Sequence, residues 1–210
     1  MYEFSQKSQQ LSARLTAFME AYIYPNEEAY AAQLRGATNR FAPLPLMDEL
    51  KAHAQAAGLW NLFVPEEHAE YCDHGGLSFF DYAPLAEIMG RVIWSPEVFH
   101  CNAPDTGNME VFMNYATQAQ RDTWLTPLLE GQIRSSYAMT EPQVASSDAT
   151  NVELRIEKKG QEWVLNGHKW FITNAMYERT KILIVMGKSD PENPSRHLQQ
   201  SQILVPKDTP

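Results

Sequence analysis

Two short stretches decide how this chain folds: Tyr137-Ala-Met-Thr-Glu-Pro-Gln-Val-Ala-Ser-Ser-Asp148 and, further along, Asn166-Gly-His-Lys-Trp-Phe-Ile-Thr-Asn174. The first lies where the sequence changes its pattern, because apolar residues recur at helical spacing before it and at every second position after it. Pro142 restricts Glu141 to extended geometry, so we expect a loop to follow the strand that ends here. We therefore predict an α+β protein, with an all-α domain over residues 1–134 and a β domain over residues 135–210.

The first domain is predicted to consist of helices. Apolar residues from Leu11 to Ile23 recur at steps of three and four residues, which is typical of an amphipathic helix. A second helix is predicted over residues 46–57, with Pro45 in its first turn and Gly58 at its C-terminal cap. Further helices are predicted over residues 82–91, 108–115 and 118–130.

The second domain is predicted to be a β-sheet. Apolar and charged residues alternate over residues 152–157. Asn166-Gly167 is the dipeptide most typical of a two-residue hairpin turn, so strands are predicted on either side of it, over residues 163–165 and 168–172. Further strands are predicted over residues 181–186 and 202–205. Such a sheet would leave unpaired backbone groups at its C-terminal edge, so we expect it to be incomplete.

Composition argues against several classes of function. The formal net charge is −9 and the pI is about 5.1, whereas phosphate binding needs clustered basic side chains, so no nucleic-acid partner is expected. Cys72 and Cys101 form no CxxC pair, which fits a reducing compartment. No apolar run approaches the roughly 20 residues that span a bilayer. The first residues resemble neither a secretory signal nor a transit peptide, so we expect a cytoplasmic protein, most simply of a bacterium.

Each of the two opening stretches, taken alone, has a functional and a structural interpretation. Ala145-Ser-Ser-Asp148 offers hydroxyls and backbone N–H groups that suit a phosphate or a polar ring edge, but also a turn or a helix cap. Residues 168–174 place two aromatic side chains beside a threonine, which suits a planar heterocycle. Aromatic residues are equally common in the cores of sheets. Only the joint occurrence of the two stretches favours the functional interpretation.

Together the two stretches resemble the flavin-binding signature of the acyl-CoA dehydrogenase family. That signature reads approximately Tyr-x-x-Thr-Glu-Pro, a small-residue run ending in Ser-Asp, then Asn-Gly-x-Lys-x-Trp-Ile-Thr-Asn. The matching positions in this chain are Tyr137, Thr140, Glu141, Pro142, Ser147, Asp148, Asn166, Gly167, Lys169, Ile172, Thr173 and Asn174. Residues 103–110, 145–150, 195–197 and 203–206 are similar to the long-chain-acting branch that includes human family member 11 and bacterial relatives.

The resemblance covers essentially the whole chain and implies the fold of that family. A helical N-terminal domain would be followed by an antiparallel, β-barrel-like domain, which is incomplete in this chain. The C-terminal four-helix domain of the family would lie beyond Pro210.

The resemblance implies that FAD is the cofactor. The residues implied to line the flavin ring are Tyr137, Met139 and Thr140 on one side and Phe171, Ile172 and Thr173 on the other. The Thr140 hydroxyl would bond to the pyrimidine edge of the ring and the Thr173 hydroxyl to flavin N5. Phe171 stands where the family usually has tryptophan. Ser146 or Ser147 would lie near the pyrophosphate, and Ser147 also near the acyl-CoA phosphopantetheine; residues 143–147 form a loop one residue longer than usual, which leaves that choice open.

The implied reaction is oxidation of an acyl-CoA to a trans-2-enoyl-CoA, as in fatty-acid β-oxidation, with electrons passed to an electron-transfer flavoprotein by a homodimer or homotetramer. The family's catalytic base, usually a glutamate, would lie beyond Pro210, so no catalytic residue is assigned here. Nothing in the sequence marks Glu66, Glu67 or Glu141 as a substitute base. We therefore expect the 210-residue chain by itself to be inactive and to bind FAD weakly or not at all.

Two other functions stay open from the sequence: a flavoprotein oxidase or monooxygenase of the same fold, and a non-catalytic assembly module that uses the α domain as a surface. A metal site is not expected, because residues 68–74 contain His and Cys in one irregular cluster and lack the two well-spaced ligand pairs of a zinc site. His100 and Cys101 are adjacent and should point in different directions, so they are not expected to form a thiol-imidazole nucleophile.

Overall fold

The structure is a computed structural model that describes residues 3–210. The chain divides into two compact units, Met1–Gln132 and Ile133–Pro210. Within residues 3–210, no helix is both long and apolar enough to cross a lipid bilayer.

The first unit is built from helices, as predicted. They are α1 (Gln6–Phe18), which continues as a π-helical turn (Met19–Ile23), α2 (Glu27–Gly36), α3 (Pro45–Ala56), α4 (Phe79–Met89), α5 (Ser95–Val98), α6 (Asp105–Tyr115), α7 (Gln118–Gln120), which continues as a π-helical turn (Arg121–Leu125), and α8 (Thr126–Leu129). Short 3₁₀ turns lie at Tyr24–Asn26 and Glu66–Tyr71. The helix predicted over residues 118–130 is thus present as three shorter, consecutive segments.

The helix ends follow from local sequence. The Ser5 hydroxyl accepts a hydrogen bond from the Ser8 backbone N–H at 3.1 Å and so caps the start of α1. Pro45 opens α3, where a missing N–H costs nothing. Gly58 follows α3 with φ of +59°, the left-handed conformation that the sequence predicts at this cap.

The core of the first unit is made by the apolar stripes of its helices. The face of α1 that carries Leu11, Leu15 and Phe18 is buried, and α3 contributes Leu50 and Ala54. Burial of this apolar surface is the main stabilising contribution to such a helical unit. In contrast, α2 has no buried residue, and its sequence contains no apolar stripe from which to predict it.

The second unit contains a five-stranded sheet within the described residues. Its strands are β1 (Arg134–Ala138), β2 (Arg155–Lys159), β3 (Glu162–Asn166), β4 (Thr180–Lys188) and β5 (Gln200–Pro206). Two 3₁₀ turns, Ala149–Asn151 and Arg196–Leu198, lie between them. A core of apolar residues that includes Val152, Leu154 and Val185 lies under the sheet.

The predicted fold class, a helical domain followed by a barrel-like sheet, is confirmed, but the sheet is mixed where an antiparallel one was expected. β4 is flanked by β1 in parallel and by β5 in antiparallel orientation, and β2 meets the end of β4 in parallel where Arg155 is opposite Lys188. Among the strands of residues 3–210, the antiparallel neighbours are β2 with β3 and β4 with β5. The reason is connectivity: β1 and β4 are separated by more than forty residues, and such a long crossover is what a parallel pair requires.

The hairpin predicted at Asn166-Gly167 is wrong. The hairpin of this unit joins β2 to β3, and Gly160 forms its turn with φ of +64°. Residues 168–172 form no strand. Gly167 serves close packing instead, because a Cβ on it would lie 2.7 Å from Leu154 Cβ and 2.8 Å from Leu154 Cα.

Candidate functional site

The first candidate stretch is a loop closed by its own serine. It leaves β1 at residue 139, and the Glu141 backbone N–H donates to the Ser146 hydroxyl oxygen at 2.7 Å. The same hydroxyl donates to the Val144 carbonyl oxygen at 3.2 Å, and Ser146 is buried. Ser147, by contrast, is exposed. Of the two serines, Ser146 therefore holds the loop together and Ser147 faces outward.

The far end of the loop is fixed by Asp148. Its Oδ1 accepts hydrogen bonds from the Thr150 backbone N–H at 2.9 Å and from the Thr150 hydroxyl at 2.7 Å. The hydrogen bond from the Thr150 hydroxyl is the main cause that holds the pKa of Asp148 below its ordinary value. Arg196 Nη2 donates to the Thr150 hydroxyl oxygen at 2.8 Å and so ties the loop to the 3₁₀ turn at Arg196–Leu198.

The second candidate stretch, residues 166–174, runs as an irregular segment after β3. Phe171 has φ of +49° and Asn174 has φ of +66°, both in the left-handed region that only glycine adopts without cost. Asn174 anchors the segment, because its Nδ2 donates to the Ser135 carbonyl oxygen at 3.3 Å and its carbonyl oxygen accepts from the Thr180 hydroxyl at 2.7 Å. Phe171 is 83% exposed. A strained backbone conformation thus presents an aromatic ring to solvent.

The structure brings the two stretches into direct contact. The Trp170 backbone N–H donates to the Thr140 carbonyl oxygen at 3.1 Å. The Lys169 ammonium donates to the Met139 carbonyl oxygen at 2.7 Å and to Glu141 Oε1 at 2.8 Å. Residues that lie 28 to 30 positions apart in sequence therefore share one small region of the second unit.

Glu141 is the residue around which this region is organised. Its Oε2 accepts the Glu153 backbone N–H at 2.7 Å, and its Oε1 accepts the Leu154 backbone N–H at 2.9 Å. Desolvation raises the pKa of this carboxyl, but the hydrogen bonds from Lys169 and from the two backbone N–H groups outweigh it, and the pKa lies below its ordinary value. An ionised, fully hydrogen-bonded carboxylate is a structural anchor and is poorly suited to act as a general base.

The six residues expected to line the flavin ring differ in exposure. Thr140, Phe171 and Thr173 are exposed, while Tyr137, Met139 and Ile172 are half-buried. The Tyr137 hydroxyl oxygen already accepts a hydrogen bond from Gln202 Nε2 at 3.1 Å.

Within residues 137–148 and 166–174, the side-chain hydroxyls without a described hydrogen-bond partner are those of Thr140, Ser147 and Thr173. These exposed hydroxyls, with the exposed ring of Phe171, are the groups of this region that have the capacity to bind a planar, hydrogen-bonding ligand.

Sequence reasoning did not foresee the pairing of Glu141 with Lys169. Both residues belong to the motif by which the stretches were recognised, so the only signal for their pairing was their opposite charge. The two other clusters of reactive side chains, residues 68–74 and the pair His100 and Cys101, lie in the first unit and not in this region. Within residues 3–210, no group of three His, Cys, Asp or Glu side chains is placed to hold a metal ion. His100 Nδ1 lies 2.7 Å from Asn61 Oδ1, and the Cys101 thiol donates to the Phe99 carbonyl oxygen.

Comparison with known proteins assigns both units to one family. Residues 5–132 match the N-terminal domain of acyl-CoA dehydrogenases, and residues 136–210 match their middle domain. The two matches together take in nearly the whole chain. The chain belongs to the acyl-CoA dehydrogenase family.

Individual relatives are consistent with this assignment. Human acyl-CoA dehydrogenase family member 11 is 42% identical, over 98% of this chain and 26% of its own length. A solved structure of a Mycobacterium abscessus protein described as an acyl-CoA dehydrogenase has a TM-score of 0.90 at 46% identity, over 100% of this chain and 52% of that chain. The resemblance to family member 11 and to bacterial relatives is thereby confirmed.

A more distant structure shares the fold alone. It is the glutaryl-CoA dehydrogenase of Mycobacterium smegmatis in complex with FADH2, with a TM-score of 0.70 at 20% identity, over 99% of this chain and 47% of that chain. The present chain thus spans about half the length of these two bacterial proteins, and about a quarter of the human one.

Proposed function

We propose that this chain supplies the N-terminal and middle portions of an FAD-dependent acyl-CoA dehydrogenase that converts an acyl-CoA to a trans-2-enoyl-CoA. One observation carries the proposal: the two motif stretches are joined at Thr140 and Trp170, so that three exposed residues of the motif, Thr140, Phe171 and Thr173, belong to one region. Family membership adds the class of reaction.

The residues of this region fit a flavin. The hydroxyls of Thr140 and Thr173 are free to bond to polar ring atoms, and Phe171 offers an aromatic face on which a ring stacks. Tyr137, Met139 and Ile172 would complete the apolar lining. Ser147 is the serine whose hydroxyl is available to a phosphate, for FAD or for the acyl-CoA, whereas Ser146 is occupied within the loop.

When bound, FAD would supply the acceptor for the hydride that leaves the β carbon of the acyl group. The part of this chain is to hold the ring and to place hydrogen-bond donors where negative charge develops on it, a preorganised electrostatic contribution. The base that takes the α proton is proposed to lie in the other half of the bacterial relatives, to which this chain has no counterpart. Electron-transfer flavoprotein is the proposed electron acceptor, and the assembly is proposed to be a homodimer or homotetramer.

The test is to express the protein from its complete reading frame and to record its flavin spectrum during anaerobic titration with short-, medium- and long-chain acyl-CoA. The expected result is a stoichiometric flavin that is bleached by at least one acyl-CoA and reoxidised by electron-transfer flavoprotein. A protein that carries flavin but is reoxidised rapidly by O2 alone would identify an oxidase or monooxygenase instead. A protein that binds no flavin would overturn the proposal.

The 210-residue chain, expressed alone, provides a second measurement. We expect it to be colourless or weakly loaded with FAD and inactive toward acyl-CoA. The flavin ring would then be contacted by residues of the second unit alone, without the contacts proposed to come from the rest of the protein. A yellow preparation of the 210-residue chain that acyl-CoA reduces would contradict this part of the proposal.

A further inference from the structure

Lys169 is a buried cation beside the candidate flavin site. Its ammonium donates hydrogen bonds to a backbone carbonyl oxygen and to a carboxylate oxygen. Its side chain is 9% exposed, and its ammonium donates to the Met139 carbonyl oxygen and to Glu141 Oε1, at 2.7 and 2.8 Å. Desolvation lowers the pKa of this lysine, and the carboxylate of Glu141 opposes that effect. The Lys169 ammonium, which belongs to the second stretch, therefore fixes the backbone of the first stretch at Met139.

Glu141 extends this network to a third segment. Its side chain is 3% exposed and accepts the backbone N–H groups of Glu153 and Leu154, the residues that lead into β2. The carboxylate thus has three N–H donors, two from backbone and one from Lys169. Residues 139–141, residue 169 and residues 153–154 are fixed relative to one another by a single ion pair.

The groups proposed to contact flavin lie immediately next to this pair in the chain. Thr140 is flanked by Met139 and Glu141, and its carbonyl oxygen accepts the backbone N–H of Trp170, the neighbour of Lys169. Phe171 then turns outward through its left-handed conformation. A shift of Lys169 would consequently move both sides of the candidate site.

Stability alone does not account for two buried charges at this place. A buried ion pair is often no more stabilising than apolar side chains of the same volume, because each charge must be desolvated. Its distinctive effect is geometric, since the carboxylate and ammonium fix the direction of every group they bond. Such a role is expected next to a ligand whose position must be held closely.

We propose that Glu141 and Lys169 form a positioning pair that sets the distance between the two flavin-binding stretches, and so the placement of Thr140 relative to Phe171–Thr173. This inference rests on the proposed function. Neither residue is assigned a contact with the flavin or the acyl-CoA.

The experiment uses the protein from its complete reading frame, with the variants Lys169→Met, which removes the ammonium, and Lys169→Arg, which keeps a donor. The matched control is Lys51→Met, because Lys51 and Glu97 form an ion pair of 2.7 Å in the first unit, against 2.8 Å for Lys169 and Glu141. Two quantities are measured for each variant: hydrogen exchange of backbone amides without FAD, and the dissociation constant of FAD with the visible circular dichroism of the bound flavin.

Lys169→Met is expected to speed exchange at the Trp170 amide by at least about tenfold, while amides of the β4–β5 pairing change little. It is also expected to raise the dissociation constant of FAD by at least about tenfold and to change the visible circular dichroism. Lys169→Arg should recover part of both effects. Lys51→Met should lower the melting temperature and leave the FAD constant unchanged within about twofold.

The proposal is overturned if Lys169→Met loses thermal stability but keeps the wild-type FAD constant, circular dichroism and Trp170 exchange. It is overturned as well if the Trp170 amide of the wild-type protein exchanges at the rate of an unstructured peptide, a result that needs no variant to fold. If the wild-type protein binds no FAD but Lys169→Met still loosens the Trp170 amide, the function proposed above fails while the structural coupling is retained, so the two failures are distinguishable.

Discussion

Gly167 lies against the backbone of Leu154 so closely that no other residue fits. A Cβ at position 167 would lie 2.7 Å from Leu154 Cβ and 2.8 Å from Leu154 Cα. Gly187 approaches the same residue, since its Cβ would lie 2.8 Å from the Leu154 carbonyl oxygen. Leu154 is also one of the residues whose N–H bonds to Glu141, so this close packing supports the network beneath the candidate site.

Gly167→Ala should therefore destabilise the second unit. The neighbouring atoms are Cα, Cβ and Cγ of Leu154, and the backbone atom among them cannot move aside without shifting the chain. We therefore expect a loss of about 1–3 kcal/mol in the free energy of unfolding, as for overpacked cores. Urea unfolding followed by tryptophan fluorescence measures the loss. Gly36→Ala is the matched control, because a Cβ there meets nothing within 4 Å, and it should leave stability unchanged or slightly raised. Equal stability of the two variants would show that the contact at Gly167 is not close.

The elements that sequence predicted well are those whose pattern is local. The amphipathic stripe of α1 and the cap at Gly58 follow from neighbouring residues, and both are present. Asn166-Gly167 has the same local signal as a hairpin turn, yet its glycine is required by Leu154, a contact to another segment that local sequence does not contain. The helix α2 was missed for the opposite reason: none of its residues is buried, so it has no stripe.

The sequence predicted which residues form the candidate site, but not the hydrogen bonds and the ion pair that connect them. Order and spacing of the two stretches identified the family, and the comparisons confirm it. The ion pair between Glu141 and Lys169 spans 28 positions and depends on how the two stretches are folded together. Likewise, the sequence left open the choice between Ser146 and Ser147, and burial together with hydrogen bonding distinguishes them.

The two serines should respond differently to substitution by alanine. Ser146→Ala removes the acceptor of the buried Glu141 N–H, so it should cost about 1–3 kcal/mol of stability. Ser147→Ala should change stability by less than about 0.5 kcal/mol, because its hydroxyl is exposed. In the protein from its complete reading frame, Ser147→Ala is expected to weaken FAD or acyl-CoA binding instead. Urea unfolding and ligand titration on the same samples separate the two effects; a stable Ser146→Ala variant would contradict the role assigned to Ser146.

Stability of the second unit should depend on pH through Glu141. Its pKa in the folded state lies below the ordinary value of about 4.3, so its contribution is complete at pH values above that ordinary value and is lost as pH falls through the folded pKa. Glu141→Gln should accordingly be less stable than wild type by about 3 kcal/mol at neutral pH, since Lys169 keeps a buried charge without its partner. The difference should shrink as the medium becomes more acidic than about pH 4.

Denaturant unfolding of both proteins over a series of pH values tests this dependence. Glu153→Gln serves as the charge control, because the Glu153 side chain is exposed and only its backbone N–H joins the network. It should follow wild type at every pH. A constant difference between Glu141→Gln and wild type from neutral to acid pH would rule out the ionised carboxylate as the source of the stabilisation.

Phe171 should matter for ligand binding and hardly at all for folding. Its ring is 83% exposed and its φ of +49° costs a non-glycine residue about 1 kcal/mol, so Phe171→Gly should change the free energy of unfolding by less than about 1 kcal/mol. The buried Phe99 provides the contrast, because Phe99→Ala should cost about 3–5 kcal/mol. In the protein from its complete reading frame, Phe171→Gly should weaken FAD binding, since the variant loses the aromatic face next to Thr173. Calorimetric unfolding and flavin titration give the two quantities; a Phe171→Gly variant that unfolds early but binds FAD normally would make Phe171 a structural residue and remove it from the proposed flavin site.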